Sequence, residues 1–313
     1  MILITGSTGY IGSHICQFFD KKKINYIGID DQSYSYKNNV SNKKKQLKID
    51  ISDEKKIPKI LEKYNINLII HAAASSYVLD AEKNKHKYFV NNIKKTKKFI
   101  NLCKLKKIDN FIFFSSSNVY KEKNIFNEKD KIKSKNYYGK NKIIIENFLQ
   151  KKKFKNLIIL RLFNVVGIYN KFFKPFRFKE KNYQRIMFQI KERLKKDEPI
   201  KIRYFKIKNK KVFPSRDFVD IKIIFSIFKE IIKDKKYQNI GTKIINVGSG
   251  ISTPIDKIIS NFEKLINKKI KVHYEEIDNK ELMQTRANIK KLKTFLKNSV
   301  KFNLKKTLNT YLD

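Results

Sequence analysis

The segment Thr5-Gly6-Ser7-Thr8-Gly9-Tyr10-Ile11-Gly12 constrains this chain more than any other. An apolar triplet, Ile2-Leu3-Ile4, precedes it, and an amphipathic run from Tyr10 to Phe19 follows. The order is strand, glycine turn, helix. In a G-x-x-G-x-x-G spacing, Gly6 turns the chain sharply, Gly9 lets backbone approach a pyrophosphate, and Gly12 lets the helix pack closely on the sheet. Tyr10 and Ile11 open the helix, whose N-terminus presents free N–H groups and a positive dipole end to the anion. The context, not the glycines alone, marks a dinucleotide site. The next apolar run, Tyr26-Ile27-Gly28-Ile29, ends in Asp30-Asp31. An acidic residue there accepts hydrogen bonds from adenosine ribose hydroxyls and repels a 2′-phosphate. No Arg occurs before Arg161 to clamp a 2′-phosphate, which favours NAD over NADP.

Further apolar runs at 68–70, 111–114 and 157–163 alternate with helical stretches, including one around 88–105. That alternation predicts βαβ units and an α/β fold with a doubly wound parallel sheet. The pattern loosens after Gly167. Residues 169–181 are aromatic and basic without a clear period, and a helix over 182–196 precedes strands at 200–204 and 244–247 and helices at 254–267 and 287–297. We expect a cofactor domain over 1–167 and a smaller, mainly substrate-binding α/β domain over 168–313, with a soft boundary and some later segments returning to the first domain.

Charge and cysteine content exclude other classes. The 72 Lys and Arg against 29 Asp and Glu leave a net charge of +43, but only seven are Arg, the residue nucleic-acid recognition favours. Lys runs such as Lys21–Lys23 sit between apolar segments, where solvated loops and helix ends belong. Nucleic acid is therefore not the expected partner. No apolar run approaches the roughly 18 residues of a membrane span. The opening residues read as a strand rather than a signal peptide. Two cysteines make neither a disulfide framework nor a cysteine zinc site, so a reducing cytoplasm is expected and a metal is not.

The chemistry is expected where an apolar strand runs into Ser115-Ser116-Ser117-Asn118-Val119-Tyr120, followed by Tyr137-Tyr138-Gly139-Lys140-Asn141-Lys142. Tyr138 and Lys142 lie at i and i+4, on one helix face. A neighbouring ammonium is expected to bring the Tyr138 pKa below its usual value of about 10, suiting it to acid–base work near neutrality. Tyr137 is off that face.

These motifs resemble, over essentially the whole chain, the extended short-chain dehydrogenase/reductase family and its nucleotide-sugar epimerase branch. The resemblance implies a Rossmann fold, bound NAD, and Ser116, Tyr138 and Lys142 as the catalytic set. Tyr138 would exchange a proton with a sugar hydroxyl, Lys142 would bind the nicotinamide ribose, and Ser116 (or, in a rival register, Ser117) would hydrogen-bond the reacting oxygen. It also implies that Asp50-Ile51 flank the adenine, that Ala72 and Ala73 pass under the cofactor phosphates, and that Asn92 belongs to an N-x-x-G-T segment in which Lys95 replaces Gly. By the same resemblance Asn164 and Arg216 hold a nucleotide sugar, most often UDP-linked, and Thr285 gates the sugar pocket. Thr285 is small enough there to admit an N-acetylated sugar. His71, at a strand end, reads as structural rather than catalytic. Two departures stand out. The stretch Glu275–Leu282 lacks the family's second diphosphate-contacting Arg, leaving Lys280 or Arg286 as substitutes. The pair after Ser116 is Ser117-Asn118 and not the Asp-Glu of the 4,6-dehydratases. The expected activity is therefore a UDP-hexose or UDP-N-acetylhexosamine 4-epimerase working through a transient 4-keto sugar. A dehydratase or reductase of the same family is the alternative, and a silent NAD-binding scaffold or a polyanion-binding protein the alternatives of other classes. Homodimers are common in the family.

Overall fold

A computed structural model describes residues 1–174, 185–233, 239–277, 281–297 and 301–312. The first half runs β1 (Ile2–Thr5), α1 (Tyr10–Lys21), β2 (Tyr26–Asp30), β3 (Gln46–Lys48), α2 (Lys56–Lys63), β4 (Leu68–His71), α3 (Val78–Lys83), α4 (Lys85–Tyr88), a π-helical turn (Phe89–Lys95), α5 (Thr96–Leu105), β5 (Asn110–Ser116), α6 (Tyr137–Lys151) and β6 (Asn156–Leu162). It continues with β7 (Asn164–Val166), α7 (Ile186–Lys196), β8 (Ile200–Ile207), β9 (Lys210–Val212), β10 (Ser215–Asp220), α8 (Ile221–Lys233), β11 (Gly241–Val247), β12 (Ser252–Pro254), α9 (Ile255–Ile266), β13 (Val272–Glu276), α10 (Lys290–Phe295) and α11 (Leu304–Asn309).

Seven strands form one sheet in the order β11-β6-β5-β4-β1-β2-β3, and every pairing in it is parallel. Because successive side chains of a strand point to opposite faces, Ile2 and Ile4 enter one core cluster with α1 and α8, while Leu3 enters the other with α2 and α5. Both faces are thus covered by helices, as an all-parallel sheet requires. The chain builds outward from β1 in one direction through β2 and β3. It then crosses to β4 and builds the other way, so strand order reverses between β1 and β4. Ligands bind outside the carboxyl ends of the strands at such a reversal.

Two small sheets follow, β12-β10-β7 and β13-β8-β9. Strand β11 lies well past residue 167 yet pairs with β6 from Gly241 opposite Asn156 to Val247 opposite Leu162, extending the large sheet at its edge. None of the described helices is long and apolar enough to cross a membrane.

Candidate active site

One continuous cleft runs along the carboxyl ends of the large sheet and on between the two small sheets. Gly6, Gly9, Tyr10, Ile11 and Gly12 line it, as do Arg216 and Thr285. The glycine loop is shaped for close backbone packing. Gly6 has φ of +66°, and a Cβ on it would lie 2.6 Å from the Ala73 nitrogen. A Cβ on Gly12 would lie 2.1 Å from the Gly6 carbonyl oxygen. Gly9 is the N-cap of α1 and brings no side chain to the helix start, so the first-turn N–H groups remain open to an anion. At the end of β2, the Asp30 carboxylate accepts from Thr8 N at 3.1 Å and from Gln32 N at 2.7 Å. Burial raises its pKa, an effect those hydrogen bonds partly offset. The loop and bare helix start offer N–H donors for phosphate, and Asp30 offers an acceptor for ribose hydroxyls, so the residues present fit NAD.

Asp50, Ile51, Ala72 and Ala73 also line the cleft. Asp50 carries a partner that the resemblance did not supply: Lys95 pairs with it and lies 3.9 Å from Asp31. Burial alone would raise the Asp50 carboxyl. The Lys95 contact, together with the N–H and hydroxyl of Ser52, outweighs burial and lowers it. Asn92 is placed differently from the cleft residues. Its side chain is buried and clasps Ser75, accepting from Ser75 N and donating to Ser75 O, both at 2.8 Å. It therefore braces the chain leaving β4 rather than lining the cleft. His71 accounts for both ring nitrogens with Thr5 Oγ1 at 2.9 Å and Thr96 Oγ1 at 3.4 Å, and burial lowers its pKa to about 3, a structural histidine as expected.

Ser116 ends β5, and Tyr138 and Lys142 lie on the first turns of α6. Asn136 caps α6, accepting from Gly139 N at 2.8 Å. Gly139 lets the helix start touch the strand exit, since a Cβ there would sit 2.1 Å from the Asn118 carbonyl oxygen. Asn118 donates to Ser116 Oγ through its backbone N and through Nδ2, each at 3.2 Å. With its lone pairs engaged, the Ser116 hydroxyl keeps its proton for a third partner. That hydroxyl is near enough to the Tyr138 phenol to lower its pKa. Ser115 points to the opposite face and donates to buried Glu146. Lys142 Nζ donates to the Phe114 carbonyl at 2.8 Å and sits 5.8 Å from the centre of the Tyr138 ring.

The expected depression of the Tyr138 pKa is not what this site has. Burial pushes the phenol up to about 12, while Arg185 and the Ser116 hydrogen bond hold it partly back. Burial also lowers Lys142 to about 7, opposed by Glu146. For each group, desolvation outweighs the contacts that oppose it. Sequence spacing reveals a neighbour but not how dry it is.

Asn164 of β7, Arg216 of β10 and Thr285 line the cleft as well. Thr285 is buried, and its hydroxyl accepts from Asp217 N at 3.1 Å. Arg286 is exposed, donates to the Gly250 carbonyl at 2.9 Å, and lies off the cleft; Lys280 falls outside the described residues. Arg185 and Arg203, both on the cleft wall, were missed. Arg185 stacks 4.9 Å from the Tyr10 ring centre, and neither Arg sits in a motif that sequence could flag. Among the described residues no group of His, Cys, Asp and Glu could hold a metal ion.

Comparison with known proteins agrees with this arrangement. A Bacillus subtilis protein described as an uncharacterized UDP-glucose epimerase, YtcB, is 29% identical over 311 residues, covering 94% of this chain and 91% of that protein. UDP-glucose 4-epimerase of Dictyostelium discoideum is 32% identical over 179 residues, a match covering 53% of this chain and only 52% of that enzyme. The crystal structure of UDP-glucuronic acid 4-epimerase from Bacillus cereus, solved with UDP-glucuronic acid and NAD, superposes with a TM-score of 0.83 at 27% identity, covering 99% of this chain and 97% of that one. A family model described as the NAD dependent epimerase/dehydratase family matches residues 2–248. The chain therefore belongs to the NAD-dependent epimerase/dehydratase family.

Proposed function

We propose that this protein is a UDP-sugar 4-epimerase that retains NAD and inverts C4 of a UDP-hexose or UDP-N-acetylhexosamine. The observation that carries this reading is one cleft lined by the glycine loop, by Ser116, Tyr138 and Lys142, and by Arg216. The family relatives named above support the same substrate class. In this reading residues 1–167, with β11, hold the cofactor, and residues from 168 onward mainly hold the nucleotide sugar.

Gly6, Gly9, Gly12 and Asp30 would hold NAD, which would supply the acceptor for the hydride from the sugar C4. The chain's own residues then manage the proton. Tyr138, as the phenolate, takes the proton of the C4 hydroxyl, and the Ser116 hydroxyl donates to the same oxygen as it becomes a carbonyl. Lys142, one turn along α6, favours the phenolate by its charge. Positive charge beside Tyr138, from Lys142 and from a bound oxidised cofactor, would oppose the burial that raises the phenol. Asn164 and Arg216 hold the nucleotide sugar and Thr285 borders the sugar pocket while the keto sugar turns over. Tyr138 then returns its proton, and the reaction is redox-neutral overall. Dehydration needs an acid and a base to remove water across a C–C bond. The residues following Ser116 in the cleft are Ser117 and Asn118, which titrate in neither role.

The test is to incubate the purified protein with UDP-glucose, UDP-galactose and their N-acetyl forms and to resolve products by NMR. Interconversion at C4 is expected, and Tyr138→Phe should abolish it while leaving bound NAD unchanged. An active Tyr138→Phe variant contradicts the mechanism.

A further inference from the structure

Arg203 on β8 and Arg216 on β10 stand on the same cleft wall and share one carboxylate. Glu281 Oε1 accepts from Arg203 Nη1 at 2.9 Å, and Glu281 Oε2 accepts from Arg216 Nη2 at 3.1 Å. The Nη1 edge of Arg216 is already committed to carbonyl oxygens of Leu282 at 2.7 Å, Ser215 at 3.1 Å and Met283 at 3.3 Å. Only its Nη2 edge faces the shared anion. Arg203 is steered from behind by Glu275, 3.8 Å from its Nε, while Glu275 also pairs with Lys201 at 2.6 Å.

This arrangement differs from a structural ion pair. The Glu146–Arg161 pair in the same protein is sealed, with side-chain exposures of 0% and 3%. Glu281, Arg203 and Arg216 are 21%, 33% and 12% exposed and all three line the cleft. Glu281 is exposed enough to turn to water, which Glu146 is not. Two guanidinium groups left facing each other then need another anion, and two linked phosphates match two planar forks.

We propose that Arg203 supplies the second diphosphate contact beside Arg216, and that Glu281 fills the site as an internal anion until a nucleoside diphosphate displaces it. The inference rests on the nucleotide-sugar reading above. It moves the second contact away from the Glu275–Leu282 stretch, Arg286 and Lys280, and onto β8. Glu281 then competes with ligand, lowering apparent affinity by the fraction of molecules in which the site is filled from within.

Calorimetric titration of the NAD-loaded protein with UDP and with uridine tests this. Arg203→Gln should weaken UDP binding by about 10-fold to 100-fold, the range for losing a charge-assisted hydrogen bond, and leave uridine binding and NAD content unchanged. Glu281→Gln should tighten UDP binding about 3-fold or more, because it removes the competing charge. Arg203→Gln binding UDP within twofold of the parent, or losing uridine equally, overturns the Arg203 assignment alone. Weaker UDP binding by Glu281→Gln overturns the internal-anion role. A parent protein that binds neither UDP nor dTDP overturns the nucleotide-sugar reading and this inference with it.

Discussion

The Glu146–Arg161 pair is the most consequential structural interaction beneath the cleft, and Glu146→Gln tests it. Arg161 Nε donates to Glu146 Oε1 at 3.0 Å and Arg161 Nη2 to Oε2 at 2.7 Å, a two-pronged contact with almost no solvent exposure. Arg161 Nη1 also donates to Tyr120 Oη at 2.9 Å and to the Glu128 carbonyl at 3.1 Å. Glutamine keeps the shape, so no cavity forms. It removes the carboxylate that pairs with Arg161 and turns an amide N–H₂ toward the guanidinium. Breaking one side of a buried pair costs about 3–5 kcal/mol, because the remaining charge stays buried. That is a fifth or more of a typical stability of about 5–15 kcal/mol. Urea unfolding at pH 7.5 measures it as a lower midpoint with an unchanged slope. The double variant Glu146→Met/Arg161→Met removes both charges at similar volume and should recover more than half of the loss. A second readout follows, because Glu146 is the one group that holds the Lys142 pKa up against burial. Glu146→Gln should move the Lys142 titration further down and shift the pH profile of activity with it. A single-variant loss below about 1 kcal/mol, or a double variant no better than the single one, refutes the reasoning.

Two further predictions concern the loop and acid stability. In Gly12→Ala the added Cβ meets the Gly6 carbonyl oxygen at 2.1 Å, and that neighbour is backbone which cannot give way cheaply. The variant should purify without NAD and fail to take it up; retained NAD at parent levels contradicts the cradle. His14 and His71 are buried and neutral, lowered to about 4 and about 3 by desolvation. Both folded values lie below the unfolded value of about 6.5, so the unfolded chain binds two protons that the fold excludes. Their contribution is present above the unfolded pKa of about 6.5 and is lost as pH falls, by about 2.4 kcal/mol between pH 6 and 5 relative to His14→Gln/His71→Asn. Parallel stability–pH curves for the two proteins contradict this.

Much of the fold was legible because its strands are short apolar runs between amphipathic helices. β1, β2, β4, β5, β6 and part of β11 stand out that way. β3 (Gln46–Lys48) and β9 (Lys210–Val212) did not, since three-residue strands rich in Lys carry no period. The cofactor loop and the Ser116, Tyr138, Lys142 set were legible because each motif is contiguous or one helical turn long. Contacts across long separations were not. Arg203 and Glu281 lie 78 positions apart and share no motif. Lys95 stood out as a substitution for Gly, but only folding shows that it answers Asp50. The Tyr138 shift was anticipated in the wrong direction because its sign depends on burial, which spacing does not reveal.

The most direct measurement of the central claim is to run the reaction in D₂O with whichever UDP-hexose turns over and to read C4 of the product by NMR. Hydride transfer out and back within one cleft, with Tyr138 handling only the hydroxyl proton, predicts inverted product that still carries protium at C4. Deuterium at C4, or no inversion with any of the UDP-hexoses and UDP-N-acetylhexosamines, contradicts it.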